Sequence, residues 1–94
     1  MKDVIVLTKK NCPLCKKTKM LLDRNGVIYR ALDAEDDLDG MSYVHYYGIG
    51  NSVLPRIIIN EELLPAYDTA EETVSNIIKM IGLVRFKGFD ADTY

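Results

Sequence analysis

Two cysteines, Cys12 and Cys15, are the residues of this chain whose type and spacing can do chemistry. The residues from Pro13 onward have the pattern of a helix, and proline is favoured in a first helical turn. Cys12 would then lie at a helix N-terminus, where free N–H groups and the helix dipole stabilise an anion. We therefore expect this thiol to have a lowered pKa and to act as a thiolate nucleophile near neutral pH.

Cys15 lies one helical turn beyond Cys12, so the two side chains can meet and form a disulfide. We expect the more exposed Cys12 to attack and the more buried Cys15 to resolve the resulting mixed disulfide. An apolar strand before the motif and a helix after it make this spacing typical of a redox site. A static disulfide and half of a metal site are the alternatives that the spacing leaves open.

Length and composition predict a single globular domain. The chain has 94 residues, of which 48% are hydrophobic and 28% charged, with a net charge of −2. This charge argues against general nucleic-acid binding. Two cysteines are too few for a secreted disulfide scaffold, and the apolar runs are too short for a signal peptide or a membrane span. We expect a cytoplasmic monomer with neither membrane nor nucleic-acid partners.

Charge is unevenly distributed along the chain. Six basic residues lie between positions 9 and 24, and five acidic residues lie between positions 33 and 39. Most of them are expected to be solvated surface residues. Lys9 and Lys10 flank the cysteines, however, and would favour both a thiolate and anionic substrates.

The hydrophobic pattern predicts seven elements in the order β-α-β-α-β-β-α. The strands are predicted at 4–7, 27–32, 57–59 and 63–64, and the helices at 13–25, 41–47 and 70–81. The first helix is expected to turn five side chains inward, namely Cys15, Thr18, Met20, Leu21 and Leu22. The last helix begins with a capping box, in which Thr69 is the N-cap and Glu72 the third helical residue.

The connections between these elements predict a mixed sheet. A strand, a helix and a strand within about 30 residues form a βαβ unit with parallel strands. The turn at 60–62 is too short for a crossover, so the last two strands are expected to be antiparallel. The fold class is therefore α/β, with a four-stranded mixed sheet flanked by three helices.

This order of elements, together with three motifs, resembles the glutaredoxins, a family with the thioredoxin fold. The motifs are Thr8-Lys9-x-x-Cys12-Pro13-x-Cys15, Val53-Leu54-Pro55 and the turn Tyr67-Asp68 before the last helix. The resemblance implies a glutaredoxin-like domain at 1–82 and a C-terminal tail at 83–94. It also implies a cis Leu54–Pro55 bond that faces the cysteines and exposes the Leu54 backbone to substrate.

The resemblance also implies a site for substrate or glutathione. Lys9 would contact one glutathione carboxylate, and Tyr67, Asp68 and Thr69 would hold the other at the N-terminus of the last helix. Pro13 and Leu14 lie between the cysteines and are included among the expected contacts. The chain departs from the usual pattern by having Pro65-Ala66 instead of Gly-Gly, and Leu14 instead of an aromatic residue.

The sequence leaves the electron source open. Leu54-Pro55 and Tyr67 resemble the NrdH-redoxins, which thioredoxin reductase reduces and which supply electrons to ribonucleotide reductase. Asp68 instead favours glutathione. In either case the resemblance implies a dithiol–disulfide oxidoreductase whose redox group is the Cys12–Cys15 pair, without a bound cofactor.

Two other function classes compete with this reading. The first is an iron–sulfur carrier in which two chains bridge a cluster through Cys12 and glutathione. The second is a zinc-binding interaction module, for which the sequence supplies two thiols but no second cysteine or histidine pair.

Overall fold

The computed structural model describes residues 3–50 and 53–82. The elements follow one another as β1 (Val4–Thr8), α1 (Pro13–Arg24), β2 (Arg30–Asp33), α2 (Leu38–Tyr47), β3 (Arg56–Ile59), β4 (Glu62–Leu63) and α3 (Ala70–Ile81). This is the predicted order. The C-terminal tail at 83–94 lies outside the described residues, so the domain boundary at 82 stays a prediction.

The four strands form one mixed sheet in the order β2-β1-β3-β4. β1 pairs in parallel with β2 and antiparallel with β3, and β3 pairs antiparallel with β4. The parallel βαβ unit and the antiparallel hairpin are therefore both confirmed. All five residues of β1 are buried, because this strand lies inside the sheet and both of its faces are covered.

Alternate residues of the central strands face two separate hydrophobic clusters. On one face, Val4, Val6, Ile57 and Ile59 pack with residues of α1 and α3 such as Leu22, Val74 and Ile77. On the other face, Ile5, Leu7 and Ile58 pack with Cys15, Ala34, Ile49 and Leu54, and α2 lies against them. The period of two along each strand thus gives the domain a three-layer arrangement.

The predicted N-cap of α3 is confirmed. The Glu72 N–H donates to Thr69 Oγ1 over 3.1 Å, while the Glu72 carboxylate accepts the N–H of Asp68, rather than that of Thr69, over 3.3 Å. The helix ends at Gly82, which has the left-handed φ of 72° that suits glycine at this position. None of the helices within the described ranges is long and apolar enough to cross a membrane.

Several predicted bounds were wrong. β2 begins at Arg30 rather than at position 27, because Val27 turns back to bond the Leu22 carbonyl over 3.0 Å. Ile28 is 79% exposed, so the apolar run at 27–29 is a connection. α2 begins at Leu38 rather than at position 41, and β4 covers Glu62–Leu63 rather than 63–64.

Met20 was expected to point inward but is 47% exposed. The buried residues of α1 are Cys15, Thr18 and Leu22, which are spaced by three and four residues. This spacing keeps them on one helical face. Met20 lies outside that face and is therefore exposed, although its side chain is hydrophobic.

Gly40 lies inside α2, where its lack of a side chain has a packing role. It is buried, and a Cβ atom at this position would overlap the backbone carbonyl of Asp33 at the end of β2. The sequence showed Gly40 only as a residue that weakens a helix. In the structure it is the residue that lets α2 approach the sheet closely.

We predict that Gly40→Ala lowers the free energy of unfolding by about 1–3 kcal/mol, because the added methyl group forces α2 away from β2. The better helix propensity of alanine, worth about 1 kcal/mol, acts in the opposite direction. Urea denaturation measures the change, with Ser42→Ala on the exposed part of α2 as the control. A Gly40→Ala protein as stable as the control would contradict the close-packing explanation.

Candidate active site

Cys12 is the N-cap of α1, as predicted. Its backbone is extended, with φ −116° and ψ 98°, and Pro13 follows in the first helical turn. The N–H of Cys15 donates to Cys12 Sγ over 3.1 Å. The sulfur therefore takes the place that a serine or aspartate oxygen has at many helix starts. A helix N-terminus favours negative charge on the atom that caps it.

Cys12 and Cys15 form a disulfide, with their Cα atoms 5.2 Å apart. Cys15 is 1% exposed and belongs to the hydrophobic cluster on the α2 face of the sheet. Cys12 is half-buried and packs at the edge of that cluster. The predicted difference in exposure between the two sulfurs is therefore present, with Cys12 as the accessible one.

The loop that contains Leu54 and Pro55 lies against the reactive sulfur. The Leu54–Pro55 peptide bond is cis, as expected. Both residues are buried, and the Leu54 carbonyl oxygen lies 3.9 Å from Cys12 Sγ. A backbone acceptor thus sits next to the sulfur, where a bound disulfide substrate would have to lie.

Two features of the turn before Cys12 are not apparent from the sequence. Asn11 has a left-handed φ of 57°, a conformation that asparagine tolerates better than most residues. Lys10 Nζ forms an ion pair with Asp36 Oδ2 over 2.8 Å. The hydrogen bond to Asp36 raises the pKa of Lys10. Because Asp36 compensates its charge, Lys10 is not the simple thiolate-stabilising cation that its position suggested.

Asp36 reaches Lys10 because its loop is anchored to the sheet. The N–H of Ala34 donates to the Thr8 carbonyl over 2.7 Å. Asp33 Oδ1 accepts the N–H groups of Glu35 and Asp36 over 2.8 and 3.0 Å. The end of β2 is therefore tied to the end of β1, next to the active-site turn.

A groove opens beside Cys12 along the flank of α1. The residues that line it are Lys9, Lys10, Asn11, Cys12, Pro13, Cys15, Lys16 and Lys19. The structure thus brings the predicted contacts Lys9 and Pro13 together with both cysteines. Leu14 is half-buried, and its carbonyl accepts the Thr18 hydroxyl over 2.8 Å within α1.

The remaining predicted contacts lie at the start of α3. Tyr67 is half-buried against the cluster between α1, α3 and the sheet, while Asp68 and Thr69 are exposed. The N–H groups of Asp68 and Glu72 donate to the side chains of Glu72 and Thr69. Any carboxylate that bound here would compete with Glu72 for the Asp68 N–H.

A second groove lies along α2 and is lined by tyrosines rather than by the cysteines. Tyr43, Tyr46 and Tyr47 line it together with the exposed His45, and the Tyr47 hydroxyl donates to the Glu61 carbonyl over 2.7 Å. His45 is thus placed with the tyrosines and not with the redox pair. Within 3–50 and 53–82, no three His, Cys, Asp or Glu residues are grouped as a metal site.

The sequence profile of the Glutaredoxin family matches residues 4–64, which include both cysteines and the cis proline. The chain belongs to the glutaredoxin family. Together with the disulfide between Cys12 and Cys15, this membership makes the protein a thiol–disulfide oxidoreductase. Tyr67, Asp68 and Thr69 lie beyond the matched residues.

Solved structures of glutaredoxins and of a thioredoxin-like protein share the fold. Glutaredoxin from Brucella melitensis is 24% identical, with a TM-score of 0.60 and 94% of each chain covered. The buckwheat glutaredoxin–glutathione complex is 19% identical, with a TM-score of 0.61, covering 96% of this chain and 83% of that one. The thioredoxin-like protein BC3987 is 24% identical, with a TM-score of 0.64, covering 80% and 99%. The curated proteins contain no match.

Proposed function

We propose that this glutaredoxin reduces protein or small-molecule disulfides through a two-cysteine exchange in which Cys12 attacks and Cys15 resolves. The observation that carries the proposal is the position of Cys12 Sγ, 3.1 Å from the Cys15 N–H at the start of α1. This position favours the thiolate, which is the attacking species in thiol–disulfide exchange. Cys15, at 1% exposure, is far less accessible to a substrate.

The first step forms a bond between Cys12 Sγ and one substrate sulfur. The substrate disulfide breaks, and its other sulfur leaves as a thiolate that takes up a proton. Cys15 then loses its proton and attacks Cys12 Sγ, which releases the second substrate thiol. Two electrons have passed to the substrate, and the protein is left with the Cys12–Cys15 disulfide seen in the structure.

The Leu54 carbonyl supports the same proposal for substrate placement. It lies 3.9 Å from Cys12 Sγ, so a substrate backbone N–H next to the attacked cysteine could bond to it. Such main-chain pairing aligns a peptide in the way that an added β-strand is aligned. Pro55 has no backbone N–H, so it donates no hydrogen bond of its own at this position. Pro13 and Leu14 are proposed to contact the substrate from the side of α1.

The electron source is proposed to be glutathione or thioredoxin reductase, in a reducing cytoplasm. Lys9 lines the groove at Cys12, which supports a role in holding a glutathione carboxylate. Tyr67, Asp68 and Thr69 are proposed to hold the other carboxylate at the start of α3. The Leu54-Pro55 and Tyr67 pattern instead supports thioredoxin reductase as donor and ribonucleotide reductase as acceptor.

We predict that Cys12→Ser abolishes disulfide reduction, because the second cysteine of the chain, Cys15, is only 1% exposed. Cys15→Ser should still attack a peptide disulfide but accumulate the mixed disulfide, since the resolving thiol is absent. Mass spectrometry of the quenched reactions distinguishes the two variants, and the wild-type protein is the control. Equal residual turnover by both variants, without a trapped adduct, would contradict these roles.

A second prediction separates the two electron sources. If glutathione is the reductant, NADPH oxidation coupled through glutathione reductase should fall at least about tenfold in a Lys9→Glu variant, because a cation that attracts a glutathione carboxylate is replaced by an anion that repels it. Thioredoxin reductase should then give no turnover. Turnover with thioredoxin reductase alone, unchanged in the Lys9→Glu variant, would contradict the glutathione site and support the redoxin type.

The iron–sulfur and zinc alternatives have a direct test in the same preparation. A brown protein with visible absorbance, or zinc in stoichiometric amount, would support one of them against the exchange function. The Cys12–Cys15 disulfide favours exchange because it occupies Cys12, which the cluster would need, and both of the thiols that a zinc site would need.

A further inference from the structure

The groove beside Cys12 has a strong excess of positive charge. Among the described residues that line it, four are lysines and none is acidic; the lysines are Lys9, Lys10, Lys16 and Lys19. Cys12 lines the same groove. A substrate that lies in it therefore meets this charge while its disulfide is attacked.

The lysines of this region differ in how their charge is compensated. Lys10 is paired with Asp36, and Lys17, outside the groove, is paired with Glu71 of α3 over 2.8 Å. Lys16 and Lys19 make no ion pair with any described residue. Their charge is therefore available to a ligand in the groove.

Lys16 and Lys19 continue the helical stripe that begins at Cys12. They follow it by four and seven residues, so all three lie on one side of α1. At about 1.5 Å of rise per residue, they stand about 6 and 10 Å from Cys12 along the helix. An extended peptide advances about 3.3 Å per residue. Its second and third residues from the attacked cysteine would therefore lie beside Lys16 and Lys19.

Acidic residues lie on the β2 side of the active-site turn. β2 ends at Asp33, and the loop at 34–37 that follows contains Glu35, Asp36 and Asp37; the ion pair between Asp36 and Lys10 places this loop next to the turn. Negative charge on a substrate is thus attracted towards α1 and repelled from this loop. Such complementarity selects both the partner and its orientation.

We propose that the preferred substrate is a protein or peptide disulfide with acidic residues two and three positions from the attacked cysteine, held by Lys16 and Lys19. This inference rests on the proposed exchange function and adds the class of substrate. The exchange is unchanged: Cys12 bonds to the substrate sulfur, Cys15 resolves, and two substrate thiols leave as the protein disulfide forms. The site differs from the proposed glutathione contacts at Lys9, Tyr67, Asp68 and Thr69.

The test is a single turnover of the pre-reduced full chain with disulfide-linked peptide dimers. Each peptide has one cysteine and carries either Asp or Asn at the second and third positions on both sides. Rapid acid quenching and thiol labelling measure the rate at which the protein disulfide forms. We expect the Asp peptide to react about fivefold faster than the Asn peptide at low salt. In about 1 M salt, where the screening length is about 3 Å, the preference should disappear.

Two variants of equal net charge identify the residues. Lys16→Gln with Lys19→Gln should bring the Asp-to-Asn rate ratio close to about one, since the attracting charges are gone. Lys17→Gln with Lys79→Gln removes two lysines outside the groove and should keep the ratio. Circular dichroism confirms that both proteins are folded.

Four results would overturn the proposal. An Asp-to-Asn rate ratio of about one in the wild-type protein would show that the groove does not select acidic peptides. An equal decrease of this ratio in both double variants would show the same. Retention of the ratio in the Lys16, Lys19 double variant would assign the preference to other residues. If the reduced protein oxidises with none of the peptides, nor with a small neutral disulfide, the exchange function itself fails, and this inference with it.

Discussion

The hydrogen bond from the Cys15 N–H to Cys12 Sγ is the interaction on which the site depends. It requires α1 to begin at Pro13, and it requires the Cys12 backbone to be extended just before that start. Both conditions place one sulfur over the free N–H groups of a first helical turn. The other sulfur enters the hydrophobic cluster one turn later. One local geometry therefore creates both an accessible nucleophile and a protected resolving thiol.

The sheet brings the rest of the site to this helix start. β1 ends at Thr8, which is paired with Asp33 at the end of β2. β3 runs in the opposite direction, so its first residue, Arg56, lies beside Leu7. The active-site turn, the acidic loop and the cis Leu54–Pro55 bond consequently meet at one end of the sheet. This convergence requires that β1 has a parallel neighbour on one side and an antiparallel neighbour on the other.

The features that could be predicted from sequence are those with short-range causes. The helix start at the cysteines, the N-cap at Thr69 and the order of the seven elements follow from residues close together in the chain. The predicted start of β2 was wrong, because the Val27 N–H bonds back to the Leu22 carbonyl and Ile28 is exposed. A short apolar run does not by itself distinguish a strand from a connection.

The features that sequence missed depend on contacts between distant segments. Nothing near Lys10 in the sequence shows that Asp36 compensates its charge, because the pair forms only when β1 and β2 lie side by side. Gly40 likewise has a packing role that appears only when α2 meets the end of β2. The sequence predicts solvated surface positions for most of the basic residues at 9–24. The relation of Lys16 and Lys19 to the groove is visible only when Cys12 is placed in space.

The most direct test of this account is the pH dependence of alkylation at each cysteine of the reduced protein, measured by mass spectrometry with limiting iodoacetamide. The account predicts that Cys12 reacts first and that its rate reports a pKa below the ordinary thiol value of about 8.5. Cys15 should react slowly over the whole pH range. Preferential alkylation of Cys15, or a Cys12 profile at or above the ordinary value, would contradict the claim that the start of α1 makes Cys12 the nucleophile.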